Sequence, residues 1–219
     1  MQQFTFNLDI EEEYNYEDYI VSTCNIDAYN LIHKHTLWSF KRLLLIGEEG
    51  SGKTHLCNIW SNIINAEYIA ESESFEKYKS AEGLILENIE RVSNEEYIFH
   101  LINFCQNNSI FLLLTAQELG HFKLPDLQSR INATQKVVIR RPDDALLRVV
   151  LNKYLSDRQL SVQQDVCDFI LSRAERSFAF IKQFVNQIDF LSLSQKRNIT
   201  IPLVKKVLEE KFLLKGEYE

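Results

Sequence analysis

The sequence predicts an α/β protein: a three-layer αβα domain built on a parallel sheet, followed by a small all-helical domain. Three observations carry this. Short continuous apolar runs alternate with amphipathic stretches up to about residue 140, the pattern of strands buried on both faces and separated by helices. A glycine-rich phosphate-binding motif lies where the first strand hands over to the first long helix. After Arg140-Arg141-Pro142 the strand pattern stops and only helical periodicity continues.

Taken in order, residues 43–46 read as a buried strand and residues 53–64 as the helix after it. Tyr68-Ile69 is a weak strand, residues 84–86 and 110–114 are stronger ones, and residues 137–139 are the last. Residues 95–105 read as a helix carrying Tyr97, Ile98, Leu101 and Ile102 on one face. Pro142 followed by Asp143-Asp144 is a helix-start signal. Helices are expected from there over about 143–158, 162–173, 178–193 and 202–212. The implied division is an extended N-terminal segment (1–10), the αβα nucleotide-binding domain (11–140) and the helical domain (141–219).

Composition narrows the function. The 24 basic and 31 acidic residues give a net charge of −7, which speaks against broad binding to duplex DNA unless a local basic stripe exists. Cys24, Cys57, Cys105 and Cys167 are scattered and form no C-x-x-C pair, so buried free thiols fit better than a zinc site or disulfide framework. The five histidines show no zinc spacing, and no G-x-S-x-G elbow is present. Met1–Glu13 lacks a basic leader and no apolar run approaches the roughly 20 residues of a membrane span. A cytoplasmic protein without a membrane partner is expected.

Gly47-Glu48-Glu49-Gly50-Ser51-Gly52-Lys53-Thr54 satisfies G-x-x-x-x-G-K-[ST] between a strand and a helix. Gly47, Gly50, Ser51 and Gly52 would turn backbone N–H groups around the phosphates of ADP or ATP. Lys53 would neutralise the β- and γ-phosphates, and the Thr54 hydroxyl would ligate Mg²⁺. The strand at 84–86 ends in Glu87-Asn88, where a metal-holding acid is expected. Glu87 suits that task, whereas the Asn88 amide cannot be a base, so binding without brisk hydrolysis is expected. Beyond the strand at 110–114, either Thr115 or Gln117 would sense the γ-phosphate, unless that tip is only a polar loop.

The motif's continuation into His55-Leu56, Tyr16-Glu17-Asp18-Tyr19-Ile20-Val21 with Asn25 and Ala28, and Leu124-Pro125-Asp126-Leu127-Gln128-Ser129-Arg130 resemble the AAA+ domain of the DnaA-related family. That resemblance extends nucleotide contact to His55 and places Arg130 on the family's arginine-finger position. DnaA continues into a helix-turn-helix domain after the lid. This chain is similar instead to the short Hda-type regulators that inactivate DnaA, through Asp157-Arg158-Gln159-Leu160, Glu175-Arg176-Ser177-Phe178 and Ile199-Thr200. Gln3-Phe4-Thr5-Phe6-Asn7-Leu8 resembles their clamp-binding peptide, so Gln3, Phe4, Phe6 and Leu8 are expected to engage the DNA polymerase III β sliding clamp.

The resemblance thus implies DnaA and the clamp as partners, a replisome-associated location and little direct DNA binding, and it leaves room for a homo-oligomer. Two departures from the family matter. Glu87-Asn88 replaces a pair of aspartates, and Ala179 stands where the lid arginine is expected, with Arg176 a substitute one turn earlier. Intrinsic ATPase activity should therefore be weak or absent. The alternative is a helicase loader of the DnaC kind or another remodelling ATPase, since DnaC carries a similar loop; such a protein needs a working hydrolytic acid and a strand-binding surface.

Overall fold

The computed structural model describes residues 19–71, 73–195 and 197–213, and it divides into two compact units at Arg141/Pro142. The first unit carries five strands: β1 (Arg42–Ile46), β2 (Glu67–Tyr68), β3 (Gly83–Leu86), β4 (Phe111–Ala116) and β5 (Gln135–Val138). They form one sheet in the order β2-β3-β4-β1-β5, and every pairing is parallel. The connecting helices are α1 (Ile26–His33), α2 (Lys53–Ile64), α3 (Glu95–Asn107) and α4 (Pro125–Ala133).

Strand alternation divides the core between the sheet's two faces. Leu43 and Leu45 enter one cluster with Ala28, Ile32, Leu56, Ile59 and Trp60 of α1 and α2. Leu44 enters the other with Ile98, Leu101 and Ile102 of α3 and Leu127 and Ile131 of α4. Burial on both faces is why β1, β3 and β4 read as unbroken apolar runs. β2 has two residues, both exposed, and sits one position earlier than its sequence signal.

Local chemistry sets the ends of the helices. Asn94 caps α3 by accepting from the Glu96 N–H at 2.9 Å, and Glu95 and Glu96 place negative charge at its positive end. Asn65 ends α2 in the left-handed region (φ 53°), which asparagine tolerates better than most residues. The Glu95 carboxylate also accepts the Lys123 and Leu124 N–H groups at 3.0 and 2.7 Å, pulling it below the usual carboxylate range and fixing the entry to α4.

The second unit contains α5 (Asp144–Asp157), α6 (Gln164–Leu171), α7 (Phe178–Gln195) and α8 (Ile201–Val207), with a π-helical turn at Leu208–Leu213. Asp143 caps α5 by accepting the Leu146 N–H at 2.8 Å. Leu147, Leu151, Ile170, Ile181, Phe184, Val185, Ile188, Val204 and Val207 make its buried interior. All four cysteines are free and buried. No described helix is long and apolar enough to cross a membrane.

Candidate functional site

The motif loop leaves β1 at its C-terminal end and enters α2 directly. Gly47 is anchored by its N–H to the Ala116 carbonyl at 3.1 Å, tying the loop to the tip of β4. A Cβ on Gly47 would lie 2.6 Å from Ser51 Oγ and 3.2 Å from the Ile139 carbonyl, so a side chain there would force the loop to shift. Gly52 adopts φ +95° just before the first helical residue, a conformation that disfavours any side chain. Together these positions form the anion cradle that the motif requires.

Lys53 is buried, and its Nζ donates to the Gly47 and Glu48 carbonyls at 2.5 and 2.9 Å. Burial pushes its ammonium below the usual lysine value, while Glu90, Glu87, Cys57 and Glu49 pull it back. The ammonium therefore rests on loop carbonyls that a phosphate can replace. The Ser51 hydroxyl is buried with no hydrogen-bond partner among the described residues, an open position inside the cradle. Outside the loop, Arg141 holds Glu48 by an ion pair at 2.8 Å.

Thr54 and Glu87 come together as a metal site needs: Thr54 Oγ1 donates to Glu87 Oε1 at 2.7 Å. A hydroxyl and a carboxylate beside a phosphate cradle are the hard oxygen ligands that suit Mg²⁺, which keeps several of its waters. Asn88 has a conformational role. It adopts φ 55° at the start of a 3-10 turn (Ile89–Arg91), and its N–H donates to Thr115 Oγ1 at 2.9 Å. Thr115 is fully buried and ties β3 to β4, which leaves Gln117 as the exposed polar side chain at that tip.

Sequence reasoning missed Glu90. Its carboxylate accepts the Gln117 N–H at 3.2 Å, and it is the foremost acid acting on Lys53. The 3-10 turn is what brings it in, and a strand-end pattern contains no signal for such a turn. It also missed the aromatic group at the start of α2. Tyr19 stacks on Tyr29 at 5.9 Å, meets His55 edge-on at 5.1 Å, and lies 3.3 Å from where a Gly52 Cβ would be.

Arg130 lies in the last turn of α4, where its Nη1 donates to Gln106 Oε1 at 3.0 Å and its guanidinium lies 5.3 Å from the Phe99 ring centre. In the second unit, Arg176 pairs with Asp144 at 3.0 Å, both side chains exposed, and Ala179 is in the first turn of α7. Gln3, Phe4, Phe6 and Leu8 lie outside the described residues.

Fold and loop together define a P-loop protein of the AAA+ class, a five-stranded parallel αβα domain followed by a helical lid. The family model for the Hda lid domain matches residues 144–208. An uncharacterised protein of Haemophilus influenzae is 30% identical over 182 residues, covering 74% of this chain and 79% of that one. The DnaA initiator of Buchnera aphidicola from Cinara cedri is 25% identical, covering 95% of this chain and 55% of its own length. Among solved structures, domain III of Thermotoga maritima DnaA superposes with a TM-score of 0.76 at 17% identity, covering 90% of this chain and 96% of that one. AMPPCP-bound DnaA from Aquifex aeolicus gives 0.65 at 20% identity, with 84% and 68% covered. The chain belongs to the DnaA-related AAA+ family of replication-initiation proteins, with a lid of the Hda type. It spans about half the length of the DnaA relatives it matches.

Proposed function

We propose that this protein is a nucleotide-dependent regulator of replication initiation that promotes hydrolysis of ATP bound to DnaA. The position of Arg130 carries the reading. Residue Gln135, just beyond α4, pairs with Leu43 near the start of β1, whereas the P-loop follows Ile46 at its end. Arg130 therefore belongs to the opposite end of a parallel sheet from the chain's own phosphate loop. An arginine placed there serves a neighbour's nucleotide. It would stabilise charge developing on the transferred phosphoryl group, an effect worth about 10³–10⁵ in rate where such arginines have been measured.

The chain's own P-loop would hold ADP or ATP with Mg²⁺ on Thr54 and Glu87, Gln117 at the γ-phosphate side, and His55 and the Tyr19 ring beside the nucleotide. The direct test is turnover of DnaA-bound ATP with this protein, β clamp and DNA present. Stimulation is expected, and its absence with an active clamp and initiator would sink the reading.

One observation favours a second reading. The Glu90 carboxylate acts on Lys53 from the turn after Asn88, so an acid is present where Asn88 supplies none. An ATPase of the helicase-loader kind would use it as base. Under the regulator reading, the protein alone turns over ATP far below the common enzyme rate of about 10 s⁻¹, and Glu90→Gln leaves that rate unchanged. Steady turnover near that figure, lost in Glu90→Gln, selects the loader.

The N-terminal peptide is proposed as the clamp anchor, an extended segment whose glutamine and alternating apolar side chains fill pockets on a larger partner. Gln3→Ala with Phe6→Ala is expected to remove clamp binding in surface plasmon resonance and leave ADP affinity within about twofold, as mutations at independent sites do. Full clamp binding by a chain lacking residues 1–8 would rule the peptide out.

A further inference from the structure

Arg42 opens β1 and points to the α3–α4 face of the sheet, the side that also receives Leu44. It is 4% exposed, and its Nε and Nη1 atoms are buried with no hydrogen-bond partner among the described residues. A buried guanidinium left with unpaired donors destabilises a fold, and an apolar side chain of similar volume there is commonly neutral or stabilising. Two other cations, Lys41 and Arg130, reach the C-terminal end of α3. Lys41 Nζ donates to the Ser109 carbonyl just past α3 at 2.9 Å, and Arg130 is held on Gln106 in the last turn of α3. Those contacts account structurally for Lys41 and Arg130, since a helix C-terminus attracts positive charge. They leave Arg42 unaccounted for.

One exposed ring faces it. Phe40 is 63% exposed and lies over Arg42, with 5.6 Å between the guanidinium carbon and the ring centre. Both Phe40 and Lys41 have φ 53°, in the left-handed region where neither residue type is at ease. Repulsion from Arg130 adds to burial in pushing the Arg42 guanidinium below its usual value. No ion pair to either arginine is formed among the described residues, and the chain as a whole is acidic at −7.

We propose that Arg42 and Arg130 together form a two-guanidinium site for phosphoryl oxygens, with Phe40 as its flap. The occupant is the polyphosphate of a nucleotide held by a neighbouring AAA+ subunit. This rests on the reading of Arg130 as a group acting in trans. Two planar forks and a nearby ammonium match an anion with several oxygens and more than one charge, which a single carboxylate is not. Arrival of that anion would relieve the repulsion between the arginines and give the Arg42 donors their missing acceptors.

The test uses the full chain carrying Lys53→Ala, which disables the P-loop, and inorganic tripolyphosphate as the probe. Tripolyphosphate is expected to raise the Tm of that protein, and adding Arg42→Met is expected to weaken the apparent affinity at least about tenfold. Without the probe, Arg42→Met should raise Tm by about 2–4 °C, an effect that a structural role for the arginine would reverse. Phe40→Ala should strengthen the response to the probe. Should Arg42→Met not fold, Arg42→Lys, which keeps charge but loses the fork, carries the same comparison. An absent response in Lys53→Ala protein, or an undiminished one once Arg42 is changed, overturns the proposal. In the assay of DnaA-bound ATP, full stimulation by Arg42→Met beside failure of Arg130→Ala removes Arg42 and leaves Arg130 standing. Full stimulation by both removes both.

Discussion

Replacing Lys53 with alanine is expected to abolish measurable binding of ADP and ATP in a chain that still folds. The ammonium rests on the Gly47 and Glu48 carbonyls at 2.5 and 2.9 Å, where it stiffens the loop and stands ready to transfer to a phosphate. Truncating one partner of a buried, hydrogen-bonded charge pair costs about 2–5 kcal/mol, so affinity should fall at least about 30-fold and leave the range of ordinary calorimetry. In the wild type, nucleotide at 100 times its Kd should stabilise the fold by about 2.7 kcal/mol, and in Lys53→Ala by almost nothing. A folded variant with unchanged ADP affinity would refute the assignment of the loop.

That prediction stands on the part of the molecule most legible in the sequence. The G-x-x-x-x-G-K-[ST] spacing encodes backbone geometry directly, and β1 and α2 on either side of it have strong apolar patterns. Elements without such patterns were harder to read. α1 is eight residues long, and Asn25 makes no side-chain cap to it. α4 buries only Leu127 and Ile131, one turn apart, so its segment reads as a motif before it reads as a helix. Glu90 and Tyr19 reach the loop through a 3-10 turn and a ring stack, contacts made by tertiary structure and absent from local sequence. Arg42 is the extreme case. No local pattern singles out Arg42, and only the tertiary packing shows that it is buried.

Arg130→Ala should remove stimulation of DnaA-bound ATP hydrolysis while leaving the protein folded and able to bind nucleotide and clamp. The side chain is half-buried at the end of α4, and its contacts with Gln106 and Phe99 hold it in one orientation. Neither contact neutralises its charge. Losing an exposed hydrogen bond to an uncharged amide and one cation–π contact costs roughly 1–2 kcal/mol, a shift of a few degrees in Tm for a chain of this size. Losing a guanidinium from the transition state of a neighbour's phosphoryl transfer costs far more, about 10³-fold or greater in stimulated rate. The two effects are thus separable by magnitude. Arg130→Lys sharpens the test, because an ammonium keeps the charge but cannot present two parallel donors to a phosphate or span Gln106 and the anion together. It should recover Tm and nucleotide binding with only a small part of the stimulation. Full stimulation by the alanine variant would exclude this residue as the finger. Full recovery by lysine would reduce its role to that of a point charge, and the planar fork would then have no part in the reaction.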